Sequence, residues 1–159
     1  MTMQNQTKLA LSNLVCGFPS AQTLTAEHAG QRVTAELTAL DSLACAFLHL
    51  SLTSDTLADA TPERLRALAD ALSKRITYLL EPVSPIEVDA QQSVVQLRSN
   101  PPQRGEGQSS YYELLVRRGG EIGLRRYAKD QGEPRQVVPA HVTREVLLRL
   151  VGDFSAVLP

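Results

Sequence analysis

The stretch YYELLVRRGGEIGLRRY, Tyr111 to Tyr127, decides the fold. Two runs of alternating residues flank Gly119-Gly120, the pattern of a β-hairpin. A two-residue loop at the glycines would set Leu114 against Arg125 and Val116 against Gly123, mixing apolar and charged groups on each face. A three-residue loop of Arg118, Gly119 and Gly120, a type I turn closed by a left-handed glycine, sets Val116 against Ile122 and Leu114 against Leu124. The opposite face then pairs Arg117 with Glu121, Glu113 with Arg125, and Tyr111 with Tyr127. Such cross-strand pairs contribute roughly 0.2–1 kcal/mol each, and one residue of slip would unsort both faces. The three-residue loop is therefore the predicted register, and antiparallel sheet is the frame of the domain.

Towards the C-terminus, Asp130 to Pro134 reads as a turn and Arg135 to Val138 as a short strand. Pro139 then opens a helix over about 140–154, with Val142, Val146, Leu147, Leu150 and Phe154 on one stripe. Towards the N-terminus, Ser99 to Ser110 is all turn formers and polar residues, a long loop. Before it, Ile86–Asp89 and Ser93–Arg98 form a hairpin turning at Ala90-Gln91-Gln92. Pro82 and Pro85 confine the first of these to a bend or an edge strand.

Thr61-Pro62-Glu63 starts a helix: Thr at the N-cap, Pro where its missing N–H is not needed, an acid in the first turn. Leu65, Leu68, Ala69, Leu72 and Ile76 line one face, and Lys74 and Arg75 close it, so the helix spans 62–75. Upstream, Val33, Ala35 and Leu37 alternate with polar residues, as do Leu48, Leu50 and Leu52, with Asp41-Ser42 as a turn. A helix through Val33, Leu37, Leu40, Ala44 and Phe47 competes, but the threonines and the late alternation favour two strands. Residues 1–8 read as frayed, Leu9–Phe18 as a short helix or strand, and 19–31 as a linker. The domains are thus an irregular N-terminal arm, 1–31, and one domain, 32–159. Its fold class is α+β in two layers: a mainly antiparallel sheet of about four to six strands, packed on one face by helices 62–75 and 140–154.

A chain of 159 residues with 43% apolar and 21% charged residues buries a sizeable core without disulfides or metals. Sixteen Lys+Arg against 17 Asp+Glu exclude a globally basic nucleic-acid binder. No apolar run is long enough for a membrane span. Lys8 followed by Leu9–Phe18 fails as a signal: one charge, a break at Ser12-Asn13, no small-residue cleavage site, and Val15 rather than a small residue before Cys16. Cys16 and Cys45 lack metal or redox spacing and read as buried, reduced thiols of a cytoplasmic protein.

Nucleotide-binding, metalloprotease, serine-hydrolase and calcium-loop motifs are all missing, and His28, His49 and His141 show no spacing for a metal site. Glu87 and Asp89 read as the wet face of a strand. No catalytic residue, metal or cofactor is assigned. The charge is uneven, however. Residues 1–97 hold 6 Lys+Arg and 10 Asp+Glu, a balance of −4, whereas residues 98–149 hold 10 and 6, a balance of +4. Arginine forks suit phosphate or carboxylate. The candidate binding residues are therefore Arg98, Arg104, Tyr112, Arg118, Arg125, Arg126 and Tyr127, on a sheet face that either docks a protein or holds an anion or nucleic acid. Internal pairs such as Glu113 with Arg125 would neutralise part of that face, and RNA-reading aromatic spacing is missing. A non-enzymatic protein-binding module, adaptor, chaperone-like or homodimeric, is the leading expectation; anion or nucleic-acid binding is second, and an enzyme without a local motif is third.

Overall fold

A computed structural model describes residues 1–158. The elements run α1 (Met3–Ser12), β1 (Gln22–His28), β2 (Gln31–Leu40), β3 (Ala44–Ser54), a single 3-10 turn (Asp55–Leu57), α2 (Pro62–Arg75), β4 (Val83–Asp89), β5 (Val94–Ser99), β6 (Gln103–Gly105), β7 (Gln108–Arg117), β8 (Glu121–Asp130), β9 (Gln136–Val138), β10 (Ala140–Thr143) and α3 (Arg144–Ala156). All ten strands join one antiparallel sheet with the main order β1-β2-β3-β8-β7-β5-β4. Its inner face carries Val33, Leu50, Leu52, Leu114, Ile122 and Leu124, all buried, in one core with Leu65 and Leu72 of α2 and Leu150 and Phe154 of α3. Burying each such side chain contributes about 1.5–3 kcal/mol, which is why the helices share one face.

The central hairpin has the expected pairs, Val116 with Ile122, Leu114 with Leu124, Glu113 with Arg125 and Tyr111 with Tyr127. Its loop is residues 118–120, but Gly119 and Gly120 both have positive φ, 92° and 120°. A positive φ at Gly119 excludes the type I turn. Helix α2 spans 62–75, capped by Thr61, whose hydroxyl accepts from the Arg64 amide. β2 and β3 are strands, and the turn between them is fixed by the Asp41 carboxylate, which accepts the Leu43 and Ala44 amides at 2.8 and 2.7 Å. Pro85 sits on the edge strand β4, beside a shift of register.

The sheet is larger than the four to six strands expected, and the helices number three rather than two among the described residues. Part of the difference lies within 1–31, read as an irregular arm. Met3, Thr7 and Leu11 are buried at i, i+4 and i+8, making α1. Leu24 and Ala26 point inward from β1, which pairs with β2 along its length. The loop 99–110 contains β6, folded back on the start of β7 across Glu106-Gly107. Finally, the last helix begins at Arg144 and not near 140. Ala140–Thr143 pairs with β3 as β10, and Thr143 caps the helix through the Val146 amide at 3.0 Å.

β9 and β10 complete the centre of the sheet in an unusual way. β3 pairs with β8 only over Leu50–Thr53, and beyond that the two strands part. β9 pairs with β8 at Arg126–Ala128, and β10 pairs with β3 at Ala44–Phe47. The chain rises along one arm of this fork and descends along the other, with Pro139 between the two strands. Proline suits that point, because neither ladder takes a hydrogen bond from it.

Candidate functional site

The face of the sheet away from the helices is polar, and alternation selects its residues. Odd-numbered positions of β7 and β8 face outward there: Tyr111, Glu113, Glu121, Arg125 and Tyr127. Even-numbered ones face the helices, and these include two of the candidate residues, Tyr112 and Arg126. Tyr112 is buried, with the Arg126 guanidinium 4.7 Å from its ring centre. Burial pushes the Tyr112 hydroxyl pKa up, against the nearby Arg126 charge. Arg126 donates to the Ser110 hydroxyl at 2.8 Å, and its other terminal nitrogen is buried without a partner. Arg104 lies on β6 and Arg118 in the hairpin loop, both exposed. The seven candidates therefore do not share one face: Arg98, Arg125 and Tyr127 stand together on the outer one, and the rest lie elsewhere.

What organises the outer face is Glu113, whose carboxylate is almost fully buried. It accepts from Arg135 at 2.6 Å and from Gln96 at 2.8 Å, with Arg98 at 3.9 Å. Arg125 stands opposite in register, yet the carboxylate turns to Arg135, which is not on β7 or β8 at all. Arg135 and Arg98 stack over Tyr127 and Tyr111, 3.9 and 4.4 Å from the ring centres. The two rings are themselves stacked, 6.0 Å apart. Both tyrosines are more than nine-tenths buried, so neither offers a free ring for a nucleic-acid base. The sequence pairs Glu113 with Arg125 and does not disclose its partnership with Arg135, because 22 residues separate the two.

A second cluster sits where β3 and β8 diverge. His49 approaches Glu121 to 3.4 Å across Gly123. His49 beside it holds the Glu121 carboxyl below its ordinary range, against the opposing effect of burial. A side chain at position 123 would collide with this pair, since a Cβ there would lie 2.7 Å from Glu121 and 2.9 Å from His49. The adjoining cavity is about 10 Å³, room for one water at most. Among the described residues, no group of three or more His, Cys, Asp or Glu is placed to hold a metal.

The third feature is apolar. Gly17 pairs with Leu40 through backbone hydrogen bonds of 2.8 and 3.0 Å, and the Arg144 guanidinium reaches both the Asp41 carbonyl and Cys16. These contacts bring the segment around Phe18 to the β2–β3 turn. Phe18 is 79% exposed, Leu43 77% and Val15 73%. Cys16 is exposed as well, contrary to the buried pair expected; Cys45 is buried, which pushes its thiol up to about 11. The sequence marks Leu9–Phe18 only as a short helix or strand within the arm 1–31, and no surface there is legible from it. No helix among the described residues is long and apolar enough to cross a membrane. Comparison with protein-family models, with curated proteins and with solved structures finds no match to this chain.

Proposed function

We propose that this chain is a non-enzymatic, cytoplasmic protein-binding module, and that Val15, Phe18 and Leu43 form its contact surface. The observation that carries the reading is their exposure around a backbone pairing, Gly17 with Leu40, that holds the segment to the β2–β3 turn. Three large apolar side chains in water at one end of a well-packed domain mark an interaction site, and an aromatic flanked by aliphatics is a usual anchor. The exposed thiol of Cys16 in the same surface suits a reducing compartment. The partner is a different protein, as for an adaptor or chaperone, or a second copy of this chain.

The test is a Phe18→Asp, Leu43→Asp double variant with an unchanged circular dichroism spectrum. Sedimentation of the purified protein reads self-association, and quantitative pull-down from the native lysate reads other partners. Loss of a stoichiometric partner, or of a dimer, in the variant supports the reading. A variant that keeps every partner of the wild type overturns it. Tyr112 and Tyr127 are unsuitable probes of such a surface, since charge at either buried ring would disturb the fold itself.

A second reading, anion binding by the arginine-bearing sheet, has its own support. Beside Tyr111 lies a cleft lined by Arg98, Lys129 and Arg135.

A further inference from the structure

We propose that the cleft between Arg98, Lys129 and Arg135 binds a phosphate monoester. The inference rests on the anion-binding reading and names its ligand. The cleft has a volume of about 420 Å³ and is completed by Asn100, Ser109 and the Tyr111 ring, with no carboxylate in its walls. That is the size of a small-molecule site.

Charge selects the ligand class. Three cations surround the space, and Glu113 beneath it compensates one of them through Arg135 and Arg98. The remaining balance is +2, which a phosphate monoester, carrying about −1.5 to −2 at neutral pH, offsets and a single carboxylate does not. Chemistry points the same way. Arg135 engages Glu113 and the Tyr111 hydroxyl through one nitrogen only, Nη1, at 2.6 and 3.2 Å. The other donors of its fork have no protein acceptor among the described residues, and a planar fork suits phosphate oxygens. Arg98 stands off from Glu113 at 3.9 Å, so its guanidinium is not closely held by the carboxylate.

Preorganisation favours function over accident. A surface arginine normally loses rotamer freedom when it grips a ligand. Here both guanidinium groups are already held over tyrosine rings, at 3.9 and 4.4 Å, so binding orders little more. The ligand cannot be read as nucleic acid from this geometry, because those same arginines cover the rings that bases would stack on.

The phosphate can belong to a free metabolite or to a phosphorylated side chain of a partner, and the titration distinguishes them. Isothermal titration at constant ionic strength would compare inorganic phosphate, glucose 6-phosphate, a capped phosphoserine peptide and acetate. The expected result is saturable one-site binding of phosphate and its esters, at least tenfold tighter than acetate. The tighter of the two esters identifies the source. Lys129→Gln removes an exposed cation without touching Glu113 and should weaken phosphate about fivefold with unchanged thermal unfolding. Arg135→Gln should abolish binding, with its folding checked by circular dichroism. Acetate binding as tightly as phosphate would overturn the phosphate assignment and leave the anion reading standing. Absence of binding by every anion overturns both, and equal affinity in the wild type and Lys129→Gln places the anion outside this cleft.

Discussion

Gly123 shows how one missing side chain arranges a surface. It lies in the middle of a central strand, where glycine is ordinarily a weakness, and the space it vacates is filled by the His49–Glu121 pair. Gly123→Ala should therefore destabilise the fold by about 1–2 kcal/mol, as overpacking that pushes this pair apart, read by urea unfolding. The same pair has a pH signature. Glu121 titrates below the ordinary carboxylate range in the folded chain because of the His49 side chain beside it. Its contribution is thus complete above the unfolded value and is lost as pH falls through the depressed folded one. Glu121→Gln should flatten that acid limb of the stability curve; an unchanged limb would show that the pair is not formed in solution. Arg135→Ala is a harsher change, leaving Glu113 buried with its main partner gone. A loss of about 2 kcal/mol is expected, discounted because Arg135 itself is partly exposed, and a Glu113→Gln, Arg135→Ala double variant should recover part of it.

At the scale of elements, legibility followed the number of independent signals. The β7–β8 hairpin was readable because charge, aromatic and apolar pairs all selected one register. α2 was readable because cap, first-turn proline, apolar stripe and terminal cations agree. Thr61→Ala should cost about 1 kcal/mol by loss of the cap, measured by denaturant titration. α1 was hidden because Thr7 occupies the middle of its buried stripe, hydrogen-bonded to the Met3 carbonyl at 2.8 Å. β1 was hidden because only Leu24 and Ala26 mark its inner side. The start of α3 was misplaced for a different reason. Val142 continues the helical stripe, but tertiary pairing claims its backbone for β10, and the cap at Thr143 resets the boundary. The binding face was legible in composition but not in arrangement. Alternation sends Tyr112 and Arg126 inward, and the carboxylate that gathers the arginines takes a partner far along the chain.

Across the whole molecule, three helices cover one face and leave the other to polar clusters, with different contacts holding each helix. α2 is tied to α3 by Asp153, which pairs with Arg75 at 3.4 Å and accepts from the hydroxyl of Tyr78, just beyond the helix, at 2.7 Å. α1 crosses α3 at Gly152, where the Gln4 side chain lies against the helix and donates to the Leu148 carbonyl at 3.0 Å. A side chain at 152 would meet Gln4 directly. Gly152→Val should loosen α1 while the sheet persists: amide exchange should quicken in residues 3–12 and stay slow in β7 and β8. Uniform quickening would mean instead that α1 is integral to the cooperative unit.

The fork between β3 and β8 gives residues 136–143 the role of a keystone. Both strands that they join are synthesised earlier, so beyond their Leu50–Thr53 ladder each holds an open edge towards the other until this segment emerges. A nascent chain has its helix α2 available long before its sheet can close, and its central hairpin only shortly before. Closure is then a late, long-range event, of the kind that slows folding and leaves strand edges exposed meanwhile. Cut between Gly132 and Glu133, the two pieces should find one another again, the shorter one docking its V and its helix into the gap it was made to fill.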